Sequence, residues 1–196
     1  MRKLRTIEMK RLSVEQFREA EKMPLVVVLD DVRSLYNVGS VFRTCDAFRV
    51  EAVYLCGITA TPPHVEIHKT ALGAEESVSW RYFPTADEAV EELKGRGYYT
   101  YAVEQAEGST KLENLKTHPL TPPCREGSDM PLQNQPVAIV LGNEVKGVHQ
   151  SVVDACDDCL EITQFGTKHS MNVSVTAGIV IWEFARRLLF GRKESK

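Results

Sequence analysis

The sequence predicts an α/β fold in which a mostly parallel β-sheet is flanked by helices. Two apolar runs, residues 25–29 (LVVVL) and 52–56 (AVYLC), have the length and the β-branched content of buried strands. Continuous apolar runs are typical of strands that a parallel sheet buries on both faces, because helices cover each face. Similar runs alternate with helical patterns along most of the chain, as they do in parallel α/β proteins.

Six strands and four helices are expected along the chain. The tetrapeptides Ser13–Gln16 and Thr85–Glu88 are capping boxes, which favour the start of a helix. Apolar residues at steps of three and four predict a long C-terminal helix. Residues 58–77 have a mixed pattern, in which Pro62-Pro63 indicates a loop. The expected strands are 25–29, 52–56, 77–83, 98–103, 137–141 and 160–162, and the longer helices are 37–48, 85–95 and 172–190.

The length and the charge pattern predict one main domain with basic ends. A chain of 196 residues can bury a sizeable core in a single domain. Residues 1–22 carry seven Lys/Arg against four Glu, and residues 185–196 carry five against one, although the whole chain has a net charge of -3. Solvated tails and contacts with nucleic-acid phosphates explain such ends equally well. We expect a basic N-terminal helical extension, 1–22, and a main domain, 23–196.

Residues 105–136 interrupt the alternation of strands and helices. This segment contains five prolines, which continue neither a helix nor a central strand. A loop of this length inside a compact domain is usually functional or disordered, and no chemical motif is visible in it. We therefore expect a flexible insertion.

Cysteine use and hydropathy indicate a cytoplasmic protein without a metal or a membrane partner. The five cysteines are odd in number and several lie in apolar contexts, which favours a reducing compartment. Cys156 and Cys159 form a lone C-x-x-C, whereas a structural zinc site normally has a second pair of ligands. No apolar run approaches the roughly 20 residues of a bilayer-spanning helix, and none follows the basic N terminus as a secretory signal requires.

Three short polar segments lie where predicted strands end or where the last helix begins. They are residues 37–43 (NVGSVFR), 141–147 (LGNEVKG) and 170–175 (SMNVSV). The carboxyl ends of strands in an open α/β sheet form the usual ligand crevice. The glycine-rich signatures of dinucleotide and nucleoside triphosphate sites are missing from the sequence, which argues against a dehydrogenase or an NTPase.

Each segment has a structural interpretation as well as a functional one. Asn37 suits a helix N-cap with Arg43 on the surface, and either Ser170 or Asn172 suits the N-cap of the last helix. In the functional interpretation, Gly39 allows the backbone of a ligand to approach, and Arg43 binds a phosphate with its planar fork of donors.

In this order and spacing, the three segments resemble motifs 1, 2 and 3 of the SpoU/TrmH family of RNA ribose methyltransferases, in the SPOUT superfamily. The resemblance extends from about residue 25 to residue 190. The matching residues are Asn37, Gly39 and Arg43 in motif 1, Gly142, Glu144 and Gly147 in motif 2, and Ser170 and Asn172 in motif 3.

The resemblance implies S-adenosylmethionine-dependent methylation of a ribose 2′-hydroxyl in RNA. It also implies a deep trefoil knot near the C terminus and a homodimer with composite active sites. By position in the motifs, the expected catalytic residues are Arg43, Asn37, Glu144, Ser170 and Asn172, and the expected cofactor-binding residues are Leu141, Gly142, Gly147, Ile162 and Met171.

The role of Arg43 and the identity of the RNA stay open at this level. Some accounts of the family make this arginine the base, whereas a guanidinium is effectively always protonated and suits a phosphate clamp better. We expect tRNA rather than rRNA, because the chain lacks the extra N-terminal domain of some rRNA-modifying members. The alternatives are methylation of an RNA base and a non-catalytic RNA-binding protein of the same fold.

Overall fold

A computed structural model describes residues 1–115 and 135–190. The described residues form a seven-stranded sheet in which neighbouring strands are parallel, and this confirms the predicted α/β class. The strands are β1 (Met23–Asp30), β2 (Val50–Cys56), β3 (Ser79–Phe83), β4 (Tyr99–Val103), β5 (Thr110–Lys111), β6 (Val137–Leu141) and β7 (Asp158–Glu161), in the spatial order β3-β2-β1-β6-β4-β7-β5.

Helices cover both faces of the sheet, as the sequence predicts. Alternation along β1 shows why both faces need cover: Leu25 and Val27 belong to the core of one face, whereas Val26 and Val28 belong to the core of the other. The helices of the first face are α1 (Val14–Glu19), α2 (Leu35–Ala47), α3 (Val65–Ala71), α4 (Ala74–Ser77) and α7 (Val173–Ala185), and those of the second face are α5 (Ala86–Gly95) and α6 (Gln150–Ala155).

A hydroxyl side chain caps the N terminus of α1, α2 and α5, although not always at the predicted residue. The Ser13 hydroxyl accepts the Gln16 N–H at 3.2 Å, and the Gln16 side chain accepts the Ser13 N–H at 2.9 Å, which confirms the first capping box. A capping hydroxyl likewise starts α5. For α2 the expectation is wrong, because Ser34 is the N-cap and its hydroxyl accepts the Asn37 N–H at 3.3 Å. The side-chain amide of Asn37 is therefore available for tertiary contacts.

Residues 58–77, whose pattern is mixed, contain the short helices α3 and α4, which the sequence does not predict. Periodicity does not reveal them, because they have only seven and four residues. The cap of α3 is also uncommon, since the ring Nδ1 of His64 accepts the Glu66 N–H at 3.1 Å. The two-residue strand β5, which pairs with β7, is a further element that the sequence does not predict.

The C-terminal helix confirms the predicted apolar pattern. The α-helix ends at Ala185, and residues 186–190 continue it in wider π-helical turns, where we expected one uninterrupted helix. Leu188 in these turns packs against the core of the first face. The buried apolar residues of α7 are Val173, Ala177, Val180, Ile181, Phe184 and Ala185.

The expected insertion is described only in part. Residues 105–115 include β5 and two buried side chains, Leu112 and Leu115, so this portion packs on the domain. Residues 116–134 of the insertion and the basic residues 191–196 lie outside the described residues. Among the helices of the described ranges, none combines the length and the apolar character that crossing a membrane requires.

Gly39 sets the distance between α2 and α3. It is buried, and a Cβ built on it would lie 2.2 Å from Oγ1 of Thr70 and 2.3 Å from the carbonyl oxygen of Ile67. Only a residue without a side chain permits this approach of the two helices. The close partner of Gly39 is thus α3 and not the backbone of a ligand, which corrects the functional interpretation of this residue.

We expect Gly39→Ala to lower the free energy of unfolding by about 1–3 kcal/mol, because the added methyl group pushes α3 away from α2. Urea unfolding of the purified protein measures the change. Gly95→Ala is the matched control, since nothing lies within 4 Å of a Cβ built there and alanine favours a helix by about 0.5–1 kcal/mol. Unchanged stability of the Gly39 variant would show that α3 moves without cost.

Candidate functional site

The chain leaves the neighbouring strands β1 and β6 in opposite directions. The two strands pair in parallel, with Leu25 opposite Val137 and Leu29 opposite Leu141. From β1 the chain crosses to β2 on one side, and from β6 it crosses to β7 on the other side. Such a topological switch point is where open α/β sheets place a ligand crevice, at the carboxyl ends of the strands.

A pocket of about 300 Å³ lies at the carboxyl ends of β4, β6 and β7. Its walls come from residues 103–105 after β4, residues 141–147 after β6, and residues within 160–176 that connect β7 to α7. Leu141, Leu160, Ile162 and Met171 supply apolar surface. The volume is at the lower end of the range for small-molecule sites.

Backbone forms much of the wall that follows β6. A Cβ on Gly142 would lie 2.1 Å from the carbonyl carbon of Gly147 and 2.2 Å from its oxygen, so only glycine fits there. Gly147 has a φ of +69°, and a Cβ on it would lie 2.0 Å from Oε2 of Glu104. Asn143 closes the turn, since its Oδ1 accepts two backbone N–H groups at 2.8 and 3.0 Å. The turn therefore presents backbone polar groups to the pocket.

Three side chains from the three motif segments are hydrogen-bonded in series beside the pocket. The Asn37 amide donates to Oε1 of Glu144, and the Asn172 amide donates to Oδ1 of Asn37 at 3.1 Å. Oδ1 of Asn172 accepts the N–H groups of Ser174 and Val175 at 3.0 and 3.3 Å, and so caps α7. An ionised carboxylate only accepts hydrogen bonds, which fixes the orientation of both amides. The series joins segments that lie 107 and 135 residues apart.

The structure brings most of the predicted site residues together. All five expected cofactor-binding residues line the pocket, as do Glu144 and Ser170 from the expected catalytic set. Asn37 and Asn172 adjoin the pocket through Glu144. Of the two candidates for the cap of α7, the structure selects Asn172, and Ser170 stays exposed.

Arg43 is the one predicted site residue that lies elsewhere. It is six residues beyond Asn37 on α2, about 9 Å along the helix axis, and it does not line the pocket. Its exposed side chain borders a shallow depression together with Lys69 and Thr70 of α3. Within the described residues it forms neither a hydrogen bond nor an ion pair. Among residues 1–115 and 135–190, nothing therefore occupies the donors of this guanidinium.

Glu104 and Gln105 also line the pocket, although they are not among the predicted site residues. The Glu104 carboxylate accepts the N–H groups of Gln105 at 2.8 Å and Val148 at 3.1 Å. The Gln105 side chain donates to the carbonyl oxygen of His169 at 2.6 Å and so joins the end of β4 to the segment before α7. The sequence could have identified them as pocket residues, because they are the first two residues after a predicted strand, just as Gly142 is the first residue after another.

A group of potential metal ligands lies at the end of β1. Donor atoms of Asp30, Asp31 and His149 lie within 4.8 Å of one another in the described part of the chain. The buried Asp30 carboxylate accepts the His149 N–H at 3.1 Å and lies 2.9 Å from its Nδ1, while Asp31 accepts the Ile58 N–H at 2.9 Å. The bonds between Asp30 and His149 hold the start of α6 against the end of β1. The bond from Ile58 to Asp31 joins the loop after β2 to the same place.

Both cysteines of the C-x-x-C are partly buried. Burial raises the pKa of Cys156 to about 12 and also raises the pKa of Cys159, whose Sγ donates to the Glu104 carbonyl oxygen at 3.3 Å. Since a thiolate is the form that binds metals, this environment disfavours a metal at the pair.

Two substitutions separate the capping role of Asn172 from its bond to Asn37. Asn172→Ala removes both, and we expect it to lower the free energy of unfolding by about 1 kcal/mol. Asn172→Asp keeps a capping oxygen and adds a charge that suits a helix N terminus, so we expect a change under about 0.5 kcal/mol. Urea unfolding compares them. An Asp variant as unstable as the Ala variant would show that the contact with Asn37 outweighs the cap, because a carboxylate oxygen that faces Oδ1 of Asn37 cannot donate to it.

The chain matches the model of the SpoU rRNA Methylase family over residues 24–182. A relative from Staphylococcus haemolyticus, assigned to the TrmH family of tRNA/rRNA methyltransferases, is 28% identical over 174 residues. The match covers 89% of this chain and 63% of that relative, so the chain spans less than two thirds of the relative's length.

Two solved structures share the fold. The AdoMet-bound rRNA methyltransferase from Sinorhizobium meliloti has a TM-score of 0.72 at 23% identity, covering 88% of this chain and 60% of that chain. A protein solved for insight into the 2-OH methylation of C/U34 on tRNA has a TM-score of 0.67 at 22% identity, covering 86% and 97%. Because the family match runs from the first strand into the last helix, the protein belongs to the SpoU rRNA Methylase family.

Proposed function

We propose that the protein transfers a methyl group from S-adenosylmethionine to a ribose 2′-hydroxyl of RNA. The observation that carries the proposal is that two motif segments line one pocket and the third is joined to it, with Asn37, Glu144 and Asn172 hydrogen-bonded in series. Family membership supports it. Two solved structures of the same fold also support it. The Sinorhizobium protein has AdoMet bound, and the other structure concerns 2-OH methylation of C/U34 on tRNA.

The pocket suits S-adenosylmethionine in shape and in charge. The wall at Gly142 has no room for a side chain, so a ligand there meets backbone donors and acceptors. Ile162 and Met171 add apolar surface, and the carboxylates of Glu104 and Glu144 favour a cation such as a sulfonium. When bound, the cofactor supplies an electrophilic methyl group, which leaves orientation of the hydroxyl as the task of the protein.

Arg43 is the residue that we assign to the RNA phosphate beside the reacting ribose. A guanidinium remains protonated and binds phosphate with two parallel hydrogen bonds, so it acts as a clamp rather than a base. The same charge stabilises the negative charge that develops on the hydroxyl oxygen while its proton passes to solvent water. Glu144 and Ser170 at the pocket, and the amides of Asn37 and Asn172, position the ribose and exchange hydrogen bonds with it.

A homodimer would bring Arg43 of one chain to the pocket of the other. The helix α7 exposes a line of apolar side chains, Val175, Ile179 and Trp182, which are 52%, 38% and 48% exposed. Exposed apolar patches of this kind mark protein interfaces. The Trp182 ring lies 5.7 Å from that of Phe48, which borders the same depression as Arg43. A second copy packed on α7 therefore lies next to Arg43.

The fold is proposed to include a deep trefoil knot near its C terminus. Family membership supports it, and so does the strand order, because β4 lies between β6 and β7 although it precedes both in the chain. After β7 the chain returns across the sheet, and α7 packs against α2.

RNA, and tRNA in particular, is the proposed partner in the cytoplasm. The proposed extension, residues 1–22, exposes basic side chains such as Lys3, Lys10 and Arg11, although Arg2 pairs with Glu8 at 3.0 Å. These cations suit contacts with phosphates outside the catalytic pocket of domain 23–196. The insertion 105–136 begins with Gln105 on the pocket wall.

Labelled S-adenosylmethionine and total RNA test the reaction directly. After digestion to nucleosides, we expect label in 2′-O-methyl nucleosides from the tRNA fraction. Asn172→Ala should lower single-turnover transfer by about 10²-fold, because it breaks the series that positions the ribose. Label in a methylated base would reject ribose chemistry. Cofactor binding without transfer to any RNA would indicate a non-catalytic binding protein.

A mixture of two inactive variants tests the composite site. In a dimer of one Arg43→Ala chain and one Asn172→Ala chain, one site combines an intact pocket with an intact arginine. We expect chains that are mixed, unfolded and refolded together to recover about a quarter of the wild-type rate, because half of the dimers are mixed and each has one good site. No recovery in mixed dimers isolated with two affinity tags would place Arg43 and its pocket in the same chain.

A further inference from the structure

A second depression lies across α3 from Arg43. It measures about 500 Å³ and shares no residue with the pocket of the motif loops. Its apolar walls are Pro62–Pro63, Val65 and Trp80, and its polar groups include His68 and Glu75. We call it the Trp80 depression. Neither the motifs nor the proposed reaction uses these residues.

The Glu75 carboxylate in this depression lacks one of its hydrogen-bond partners. Only 9% of its side chain is exposed, and its Oε1 lies 2.6 Å from Nδ1 of His68. Its Oε2 is buried and meets no donor among the described residues. Buried polar atoms without a partner are rare, because they lose hydration without compensation. The His68 side chain is 61% exposed, so it can turn outward and release Oε1, which would leave the carboxylate without a protein partner among the described residues.

The chemistry of the depression selects a flat ring with two adjacent donors. The indole of Trp80 and the two proline rings offer surfaces on which a planar group stacks. A carboxylate with both oxygens available accepts two parallel hydrogen bonds. Among the RNA bases, guanine alone presents two neighbouring donors, N1–H and the N2 amine, on its Watson–Crick edge. Adenine and cytosine place a ring acceptor beside their amine, and that acceptor would face a carboxylate oxygen.

The position of the depression suits RNA that also reaches Arg43. Val65 and His68 of α3 line the Trp80 depression, while Lys69 and Thr70 of the same helix border Arg43. The two sites are therefore separated by one helix, about 10 Å across. We propose that the Trp80 depression binds an unpaired guanine of the substrate RNA, close to the nucleotide that is methylated. This inference rests on the proposed function for its RNA substrate.

Trp80 itself reports on the proposed contact. The chain contains two tryptophans, and a stacked base quenches indole fluorescence. We expect the pentanucleotide UUGUU to quench the wild-type protein and to bind about tenfold more tightly than UUAUU or UUCUU. The inosine analogue, which lacks the N2 amine, should bind with intermediate affinity. Trp80→Phe keeps an apolar ring and should abolish the fluorescence change.

Charge-matched variants identify the carboxylate. Glu75→Gln should remove the preference for guanine, because its amide nitrogen would face a donor. Glu91→Gln removes the same charge from the exposed surface of α5 and should keep the preference. Equal binding of all four oligonucleotides would overturn the proposal, as would quenching that persists in Trp80→Phe. The inosine comparison uses the wild-type protein, so it decides the question even where Glu75→Gln does not fold.

The outcome separates this inference from the proposed function. Preference for guanine without methyl transfer to any RNA would support the depression and reject the reaction. Methyl transfer by a protein that shows no preference among the oligonucleotides would support the reaction and reject the depression.

Discussion

The parallel pairing of β1 with β6 at the centre of the sheet determines where the functional loops lie. Both strands are buried on two faces, so a slip of one residue would exchange the side chains of both cores, and the register is strongly specified. With Leu29 opposite Leu141, the chain leaves both strands at the same height. The Asn143 amide then reaches the Asp31 carbonyl oxygen at 3.4 Å, and Asn37 reaches Glu144.

Amide side chains and backbone groups make the contacts of the site at positions where a charged side chain could not make the same contacts. Asn37 accepts from Asn172 and donates to Glu144, a pair of roles that only an amide side chain combines at this length. An aspartate at this position would place two carboxylates in contact, and their repulsion would raise the pKa of one of them. Gly142 and Gly147 complete the arrangement, because their backbones approach where no Cβ fits.

The sequence predicts the elements that depend on neighbouring residues. It does not predict the features that depend on a contact with a residue far away in the chain. The central strands β1, β2 and β6 are visible because they are apolar on both faces, and the motif loops are visible because polar residues follow buried strands. Ser34 and Asn37 are both good caps three residues apart, and the choice depends on Glu144, 107 residues away. Gly39 is recognisable as a close-approach residue, but its partner α3 is too short to predict. The separation of Arg43 from the pocket likewise has no local signal.

The separation of Arg43 from the pocket follows from the charges that the proposed reaction must bring together. A sulfonium and a guanidinium in one small pocket would repel each other before RNA arrives, and the repulsion is strongest away from water. The pocket instead contains the carboxylates of Glu104 and Glu144, while Arg43 lies exposed on another face. In the proposed homodimer, an RNA phosphate bound to Arg43 would offset the repulsion between this guanidinium and the sulfonium in the partner's pocket. Substrate binding and completion of the electrostatic site are then one event, which disfavours reaction of the cofactor with water.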